Sequence, residues 1–307
     1  MATTTGTTTG TTTGTTTGTS AGAGLFDTTT RSARNRHRPL WNVLALALAA
    51  LWAFPIYWMI NSALMPADRL RSTPPLLAPL EPTLRSFDQI LHTPLFWRSL
   101  GFSLAVTLLS IAVSILAALF GAVALSRFSF IGRRGVLISV LVVQMIPAEA
   151  LFISQYRMLD GWGLLNSVVG LSLLYTGLIV PFTVWMLKGF VDGVPVELEE
   201  AAMVDGCSRF TAFTRVTLPL LGPGLVATGV FGFLVAWNEF TLAFVMLSSG
   251  DRMTLPVWLR TFSSNLQETD WAGVMAGSTL VAVPVLVVFV IVQNAMTKGM
   301  VAGAVKG

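Results

Sequence analysis

Acidic side chains are the residues of this chain best placed to do chemistry. Glu197, Glu199 and Glu200 lie within four positions of one another, and Glu149 and Glu239 each lie inside a long apolar run. The chain also holds two histidines, in segments that flank the apolar runs, and one cysteine. A single cysteine excludes an internal disulfide, and these residues form neither a catalytic nor a zinc-binding pattern. We therefore predict no catalytic residue, no metal site and no cofactor bound by this chain.

The elements that must position these carboxylates are membrane helices. Hydrophobic residues make up 53% of the 307 positions and charged residues 11%, whereas soluble domains carry about 25% charged residues. The apolar runs are continuous, which disfavours a β-barrel, whose strands are about 10 residues long and alternate in polarity. We predict an all-α polytopic membrane protein with six transmembrane helices. The predicted spans are residues 40–63, 97–125, 136–157, 164–188, 218–247 and 272–297.

The distribution of basic residues predicts the orientation of these spans. Twelve of the 19 Lys and Arg residues fall on the side that holds both termini, the 126–135 loop and the 188–217 loop. Cytoplasmic loops carry the excess of Lys and Arg, so we expect the N- and C-termini inside. Because the arginines cluster at span ends, the net charge of +4 indicates topology and no nucleic-acid partner. Residues 1–38, rich in Thr and Gly and then basic, are predicted to be a disordered cytoplasmic tail, followed by a membrane domain over 39–307.

The segment from 192 to 217 is a polar insert between two apolar spans. Pro195 suits the first turn of a helix, and the glutamates that follow lie where the helix dipole favours negative charge. Gly206 fits a left-handed C-terminal cap, and Ser208 can cap a second short helix. The pattern predicts a cytoplasmic helix-turn-helix with small residues on an exposed face. An amphipathic loop that only links two spans is the alternative.

The residue pattern of this insert resembles the EAA loop of ABC importer permeases. Glu200-Ala201-Ala202 is followed by Gly206 four residues later, then by Val216 and Leu218-Pro219. Three further stretches, SRFSFIGRRG, WNEF and the terminal GMVAGAVKG, are similar to the carbohydrate, maltose-type class of these permeases. The resemblance covers residues 40 to 307. It departs at Cys207, where such permeases usually carry a small residue such as alanine.

The resemblance implies a type I ABC importer permease fold, with a core over residues 95–297, in a bacterial or archaeal inner membrane. It implies a second homologous permease subunit, two ATPase subunits that hold ATP and Mg, an extracytoplasmic solute-binding protein and a sugar substrate. We find no phosphate-binding loop in this sequence, which agrees with nucleotide binding by the ATPase subunits alone. The residues expected to couple this chain to the ATPase are Glu197, Glu200, Ala201, Ala202, Asp205, Gly206, Phe210 and Phe213.

Two groups of residues are candidates for the substrate path, because ionisable residues inside a span are functional suspects. One is the run Trp237, Asn238 and Glu239, which offers an aromatic face and hydrogen-bonding groups suited to sugars. The other is Glu149 with Gln144, close to a proline and to Gln155 in sequence. The alternative is that both glutamates hold contacts between spans or the backbone of broken helices.

The glycines of the fifth predicted span suggest close contact with another helix. Gly222, Gly224, Gly229 and Gly232 follow one another within eleven residues, and small residues let helix backbones approach. Helix flexibility is the other explanation of this pattern.

Other functions remain open on the sequence. An importer for another small solute would share the EAA loop, although WNEF and the C-terminal stretch favour carbohydrate. A secondary transporter would carry coupling-ion residues at mid-span and often inverted repeats, and none is evident. An intramembrane enzyme would need a convergent set of acids or a Ser-His pair.

Overall fold

All the elements that the structure describes are helical. The computed structural model describes the backbone of residues 38–66, 68–70, 76–79, 81–263 and 269–304, and side chains only from 41 to 293 within these ranges. The tail predicted over residues 1–38 therefore lies almost wholly outside the described residues.

The helices vary widely in length. They are α1 (Arg38–Ala63), α2 (Arg85–Leu91), α3 (Pro94–Arg127), α4 (Arg133–Val143), α5 (Phe152–Gly161), α6 (Val168–Asp192), α7 (Val196–Val204), α8 (Arg209–Ala212), α9 (Leu218–Leu220), α10 (Gly222–Asn238), α11 (Thr241–Met246), α12 (Leu255–Trp258) and α13 (Trp271–Ala304). Two 3-10 segments (Ala148–Leu151 and Leu259–Phe262) and a π-turn (Phe213–Thr217) complete the list.

Four of these helices, α1, α3, α6 and α13, are long and apolar enough to cross a membrane. The total rises to six if each of two bent helix pairs counts as one span. The chain divides into two units, Met1–Pro55 and Ile56–Gly307. In the first unit, the structure describes the beginning of α1, with apolar side chains exposed along it, such as Trp41 and Trp52. The second unit contains the remaining helices and the packed core.

The third predicted span, 136–157, is not a straight helix. Helix α4 ends at Val143, and the next helical segment begins after Pro147 at an angle of 92°. Proline has no N–H to donate and disfavours a helical residue before it, which accounts for the break. A continuous apolar run hides such a break from a prediction based on hydropathy.

The fifth predicted span, 218–247, is interrupted twice. The segment that ends at Leu220 meets α10 at 67°, and α10 ends at Asn238 because Glu239 is extended, with φ −69° and ψ 123°. The predicted span 218–247 is therefore not one unbroken helix. Gly222 and Pro223 favour a new helix start, since proline is tolerated in a first turn.

The centre of the second unit is a close contact between α3 and α6. One face of α3 buries small residues: Ser99, Ser103, Ser110, Ser114, Ala118 and Ala122. Small side chains allow two backbones to approach, and hydroxyls can bond across the contact. The Ser172 hydroxyl on α6 donates to the Val106 carbonyl on α3 at 3.2 Å. This pair forms the rigid frame on which the other helices pack.

Helix α10 packs on this frame through only some of its glycines. A methyl group on Gly224 would lie 2.5 Å from Cγ of Phe190, and one on Gly232 would lie 3.3 Å from Ile179. A methyl group on Gly222 would meet no atom within 4 Å. Close packing thus explains Gly224 and Gly232, but it does not explain Gly222.

This difference provides a matched pair of variants. We expect Gly224→Ala to destabilise the protein by about 1–3 kcal/mol, because the base of the Phe190 ring must move. Gly222→Ala, two positions earlier in the same helix, should have no comparable effect. Thermal unfolding of both purified variants checks this. Equal melting temperatures would contradict the packing at Gly224.

Candidate functional site

Helix α7 has the predicted capped form. Pro195 precedes its first residue, and Glu197 and Glu199 fall in its first turn, where the dipole favours them. At the other end Gly206 has φ +92°. Its N–H donates to Met203 O, and the N–H of Cys207 donates to Ala202 O, both at 3.0 Å. These two bonds form a Schellman motif, so the predicted left-handed cap is confirmed.

The second short helix also begins as predicted. The Ser208 hydroxyl accepts the N–H of Thr211 at 3.2 Å, which caps α8. The chain then continues without interruption through the π-turn into α9. The result is a hairpin of α7 and α8. We call residues 195–217 the coupling hairpin, after the role that the resemblance implies for them.

The coupling hairpin presents an outer face with both charged and apolar groups. Six of the eight candidate coupling residues are exposed: Glu197, Glu200, Ala201, Asp205, Gly206 and Phe210. Phe210 is 73% exposed and Val204 is 87% exposed. Contiguous apolar patches rimmed by polar residues mark interaction sites, and these two side chains are the most open apolar groups of this face. Val204 belongs to this face, although the sequence pattern did not single it out.

Two of the candidates point partly inward. Ala202 is half-buried, and Phe213 is half-buried against the cluster that includes Leu125 and Val191. Phe213 is the first residue of the π-turn, and its N–H still donates to the carbonyls of Arg209 and Phe210. Phe213 therefore joins the hairpin to the core, and its role in coupling stays a prediction.

A buried ion pair ties the inner face of the hairpin to α3. Arg127, the last residue of α3, places Nε 2.9 Å from Oε1 of Glu199, and its Nη2 donates to the Val194 carbonyl at 2.9 Å. The Thr217 hydroxyl donates to the same Oε1 at 2.7 Å. The side chains of Arg127 and Glu199 are only 11% and 13% exposed. One carboxylate thus joins α7, the end of α3 and the last residue of the hairpin.

A second polar contact lies beside this ion pair. The Ser126 hydroxyl donates to Asp192 at 2.5 Å, and Lys188 pairs with the same carboxylate one helical turn away. Since Ser126 lies at the end of α3 and Asp192 at the end of α6, the Ser126–Asp192 bond joins the two frame helices just before the hairpin.

The run Trp237, Asn238 and Glu239 does not form one surface. Trp237 is 1% exposed, and its indole N–H donates to the Val281 carbonyl of α13 at 3.1 Å. Its ring stacks on Phe233. The neighbouring Asn238 is exposed and donates to the Leu234 carbonyl. The expectation of an aromatic face open to a sugar is therefore wrong for Trp237, because consecutive helical residues point about 100° apart.

Glu239 organises the backbone at the break between α10 and α11. Its carboxylate accepts the N–H of Leu242 at 2.8 Å and the N–H of Ala243 at 3.1 Å. The Tyr175 hydroxyl of α6 donates to Oε2 at 2.8 Å. Three donors converge on one side chain, which corresponds to the alternative that this glutamate holds a broken helix and a contact between spans.

These hydrogen bonds predict that Glu239→Gln lowers the stability of the protein, whereas a substrate contact would predict slower transport at unchanged stability. Glutamine has one acceptor oxygen and would turn an N–H₂ group toward a donor, so we expect a loss of about 1–3 kcal/mol of stability. Tyr175→Phe should lose part of the same energy, and the double variant should lose less than the sum. Thermal unfolding measures all three. A variant that unfolds at the native temperature but transports slowly would instead assign Glu239 to the substrate.

Gln144 and Glu149 come together at the bend between α4 and α5. Both line a groove of about 660 Å³, which the break opens against α6. Gln155 lines it as well. Both Gln144 and Glu149 are exposed to the space around the chain. Among the residues that the structure describes, no three His, Cys, Asp or Glu residues lie close enough to hold a metal ion.

Comparison with known proteins assigns this arrangement to a family. Residues 110–301 match the family described as binding-protein-dependent transport system inner membrane component. This match covers more than half of the chain.

The chain belongs to this family.

The matched residues of this permease include the coupling hairpin, the groove and the Glu239 break, whereas α1 and α2 lie before them. Over 266 residues the permease is 42% identical to the diacetylchitobiose uptake system permease protein DasC of Streptomyces coelicolor, covering 87% of this chain and 96% of that one. It is 31% identical to the trehalose/maltose transport system permease protein MalG of Thermococcus litoralis, covering 86% and 95%.

The fold of the permease also has a solved counterpart. A bacterial ABC transporter involved in the import of the acidic polysaccharide alginate superposes with a TM-score of 0.74 at 21% identity, covering 88% of this chain and 99% of that one. At this identity the likeness shows the fold alone. The predicted ABC importer permease fold is thus confirmed.

The sequence did not single out the inner contacts of the permease. Glu199 was noted only for its place near a helix start, and Arg127 only for topology, yet the two form the anchor of the hairpin. Their separation of 72 residues leaves no local signal. Tyr175 was also missed, since a tyrosine in an apolar span does not by itself indicate its partner.

Proposed function

We propose that this permease is half of the translocation path of an ATP-driven oligosaccharide importer and works by alternating access. The relatives named for diacetylchitobiose and for trehalose and maltose support the substrate class. The observation that carries the mechanism is the coupling hairpin. Its outer face is open and partly apolar, while its inner face is anchored to α3 by a buried ion pair.

We infer that the outer face of the hairpin docks on a cytoplasmic ATPase subunit. Exposed Phe210 and Val204 supply apolar contact, and the small Ala201 and Gly206 let a partner backbone approach. ATP and Mg would bind to that partner, so hydrolysis would reach this chain only as a displacement of the hairpin. Two such ATPase subunits and a second homologous permease would complete the membrane assembly.

The family description supports an extracytoplasmic solute-binding protein as the source of substrate. The sugar would then pass between the two permease subunits, along polar groups that cannot face lipid. In this chain Gln144 and Glu149 at the groove are the proposed contacts. The path would also depend on the helix break between α10 and α11, which is stabilised by Glu239, Asn238 and Trp237.

ATP-dependent uptake by the reconstituted assembly tests this function. The chain is co-expressed with its neighbouring subunits, and the binding protein that copurifies is screened against neutral oligosaccharides. We expect saturable uptake into vesicles that needs both ATP and the binding protein. Uptake restricted to another class of solute would favour an importer of different specificity, and uptake driven by an ion gradient without ATP would favour a secondary transporter.

A further inference from the structure

The groove at the bend between α4 and α5 has a distinctive chemical character. Fourteen described residues line its volume of about 660 Å³, which is within the range of small-molecule sites. Most are apolar, from Val143 and Pro147 on one wall to Leu174 and Pro181 of α6 on the other. The polar members are Gln144, Glu149 and Gln155, and the lining includes no Lys, Arg or His.

One of these polar groups lacks a hydrogen-bond partner. Oε1 of Gln155 is buried and accepts no hydrogen bond from the residues that the structure describes. A buried acceptor left unpaired costs free energy, so rotation of the Gln155 amide toward a donor in the groove would recover part of that cost. The Glu149 carboxylate by itself offers a ligand two oxygen acceptors.

The opening of the groove must face water or protein. Glu149 is exposed on a segment that forms part of a bent apolar helix pair. An ionisable side chain at such a place avoids acyl chains and marks a polar cavity or a partner. A ligand that enters such a polar cavity would have access to this carboxylate.

We propose that the groove is a saccharide subsite of this chain that selects for neutral, donor-rich sugars and against acidic ones. Hydroxyl and acetamido N–H groups would donate to Glu149, and to Gln155 Oε1 once its amide turns toward the groove, while apolar C–H faces pack on the leucines and prolines. A uronate carboxylate would meet Glu149 with no cation in the lining to offset the repulsion. This proposal rests on the proposed function and names the substrate class of the same path.

The first test measures the charge of the groove without any sugar. The permease has one cysteine, Cys207, so the Cys207→Ala variant has none. In that variant Met158→Cys places a single cysteine in the lining of the groove, one turn beyond Gln155. In the complete complex we expect a cationic methanethiosulfonate to react about tenfold faster than an anionic one, because of the nearby carboxylate. Glu149→Gln should bring the ratio close to one. Ile131→Cys, fully exposed, outside the lining and before the opposite end of α4, should show no Glu149-dependent ratio.

The second test asks which sugars protect the same cysteine. We expect diacetylchitobiose or maltotriose to slow labelling of Met158→Cys at least threefold, and digalacturonate to have no effect until Glu149 is replaced by Gln. Equal reactivity toward both reagents, protection by digalacturonate in the native background, or no protection by either neutral sugar would each overturn the proposal. Failure of the proposed function is a separate result, seen as absence of ATP-dependent oligosaccharide uptake whatever the cysteine ratio.

Discussion

Arg127→Met will destabilise the permease and abolish transport, because it leaves the Glu199 carboxylate buried without its cation. Removing one partner of a buried ion pair costs about 3–5 kcal/mol. Both side chains are nearly covered, and Arg127 also donates to the Val194 carbonyl. Thermal unfolding of the purified complex measures the loss. The ratio of ATP hydrolysed to sugar imported measures whether the hairpin still moves α3.

Two companion variants separate the effect of the unpaired buried charge from the effect of losing the link between the hairpin and α3. Arg127→Met with Glu199→Met removes both charges, so stability should largely return while the tie between the hairpin and α3 remains absent. We therefore expect the double variant to fold and to hydrolyse ATP with little import. Asp88→Asn is the control, since the Asp88–His92 pair is 71% and 78% exposed and exposed pairs contribute little. If the double variant transports normally, the ion pair has no part in coupling.

Gly206→Trp will abolish import while the subunit still assembles in the membrane. Gly206 has φ +92°, a conformation that costs other residues about 1–2 kcal/mol. Within this chain a Cβ at Gly206 would meet no atom within 4 Å. We therefore expect the loss beyond the backbone strain to come from a partner that approaches the hairpin. Uptake and stimulated ATP hydrolysis, measured at equal expression, should fall together.

A second glycine of the same chain isolates the effect of strain. Gly132 has φ +94°, and a Cβ there also meets no atom within 4 Å. Gly132→Trp thus imposes the same backbone cost outside the coupling hairpin, and we expect it to keep most of the transport activity. Gly206→Asn should also keep activity, because asparagine tolerates this conformation. Equal losses in the two tryptophan variants would show that strain alone explains the defect.

Local chemistry made the coupling hairpin predictable. A proline before the first turn, a glycine at the cap and a serine at the next start each act within a few residues, and the structure has all three where the pattern indicates. The all-helical class follows from long apolar runs in the same way. Orientation, with both termini inside, stays a prediction from the distribution of basic residues.

Breaks and tertiary contacts were not predictable from the sequence. Hydropathy averages over the bend at Pro147 and over the extended Glu239, because the residues on both sides are equally apolar. The partners of the two glutamates depend on which helices pack together. Glu239 meets Tyr175 from 64 positions away, and no periodicity encodes that distance. An acidic residue in a span indicates a polar neighbour without naming it.

The 67° elbow at Leu221 makes the helical segment before it a lever arm for α10. From Arg209 to Leu220 the chain is one helical rod, about 18 Å long at 1.5 Å per residue. A tilt of the rod by about 5° at Leu221 would carry the end near Phe210 through about 1.6 Å over that length. If a partner displaced Phe210, the elbow would convert that displacement into a rotation of α10, by an amount that depends on the number of residues between Phe210 and Leu221. Inserting or deleting one residue between 209 and 220 would therefore change how far α10 rotates, and it would also change the face that the rod presents.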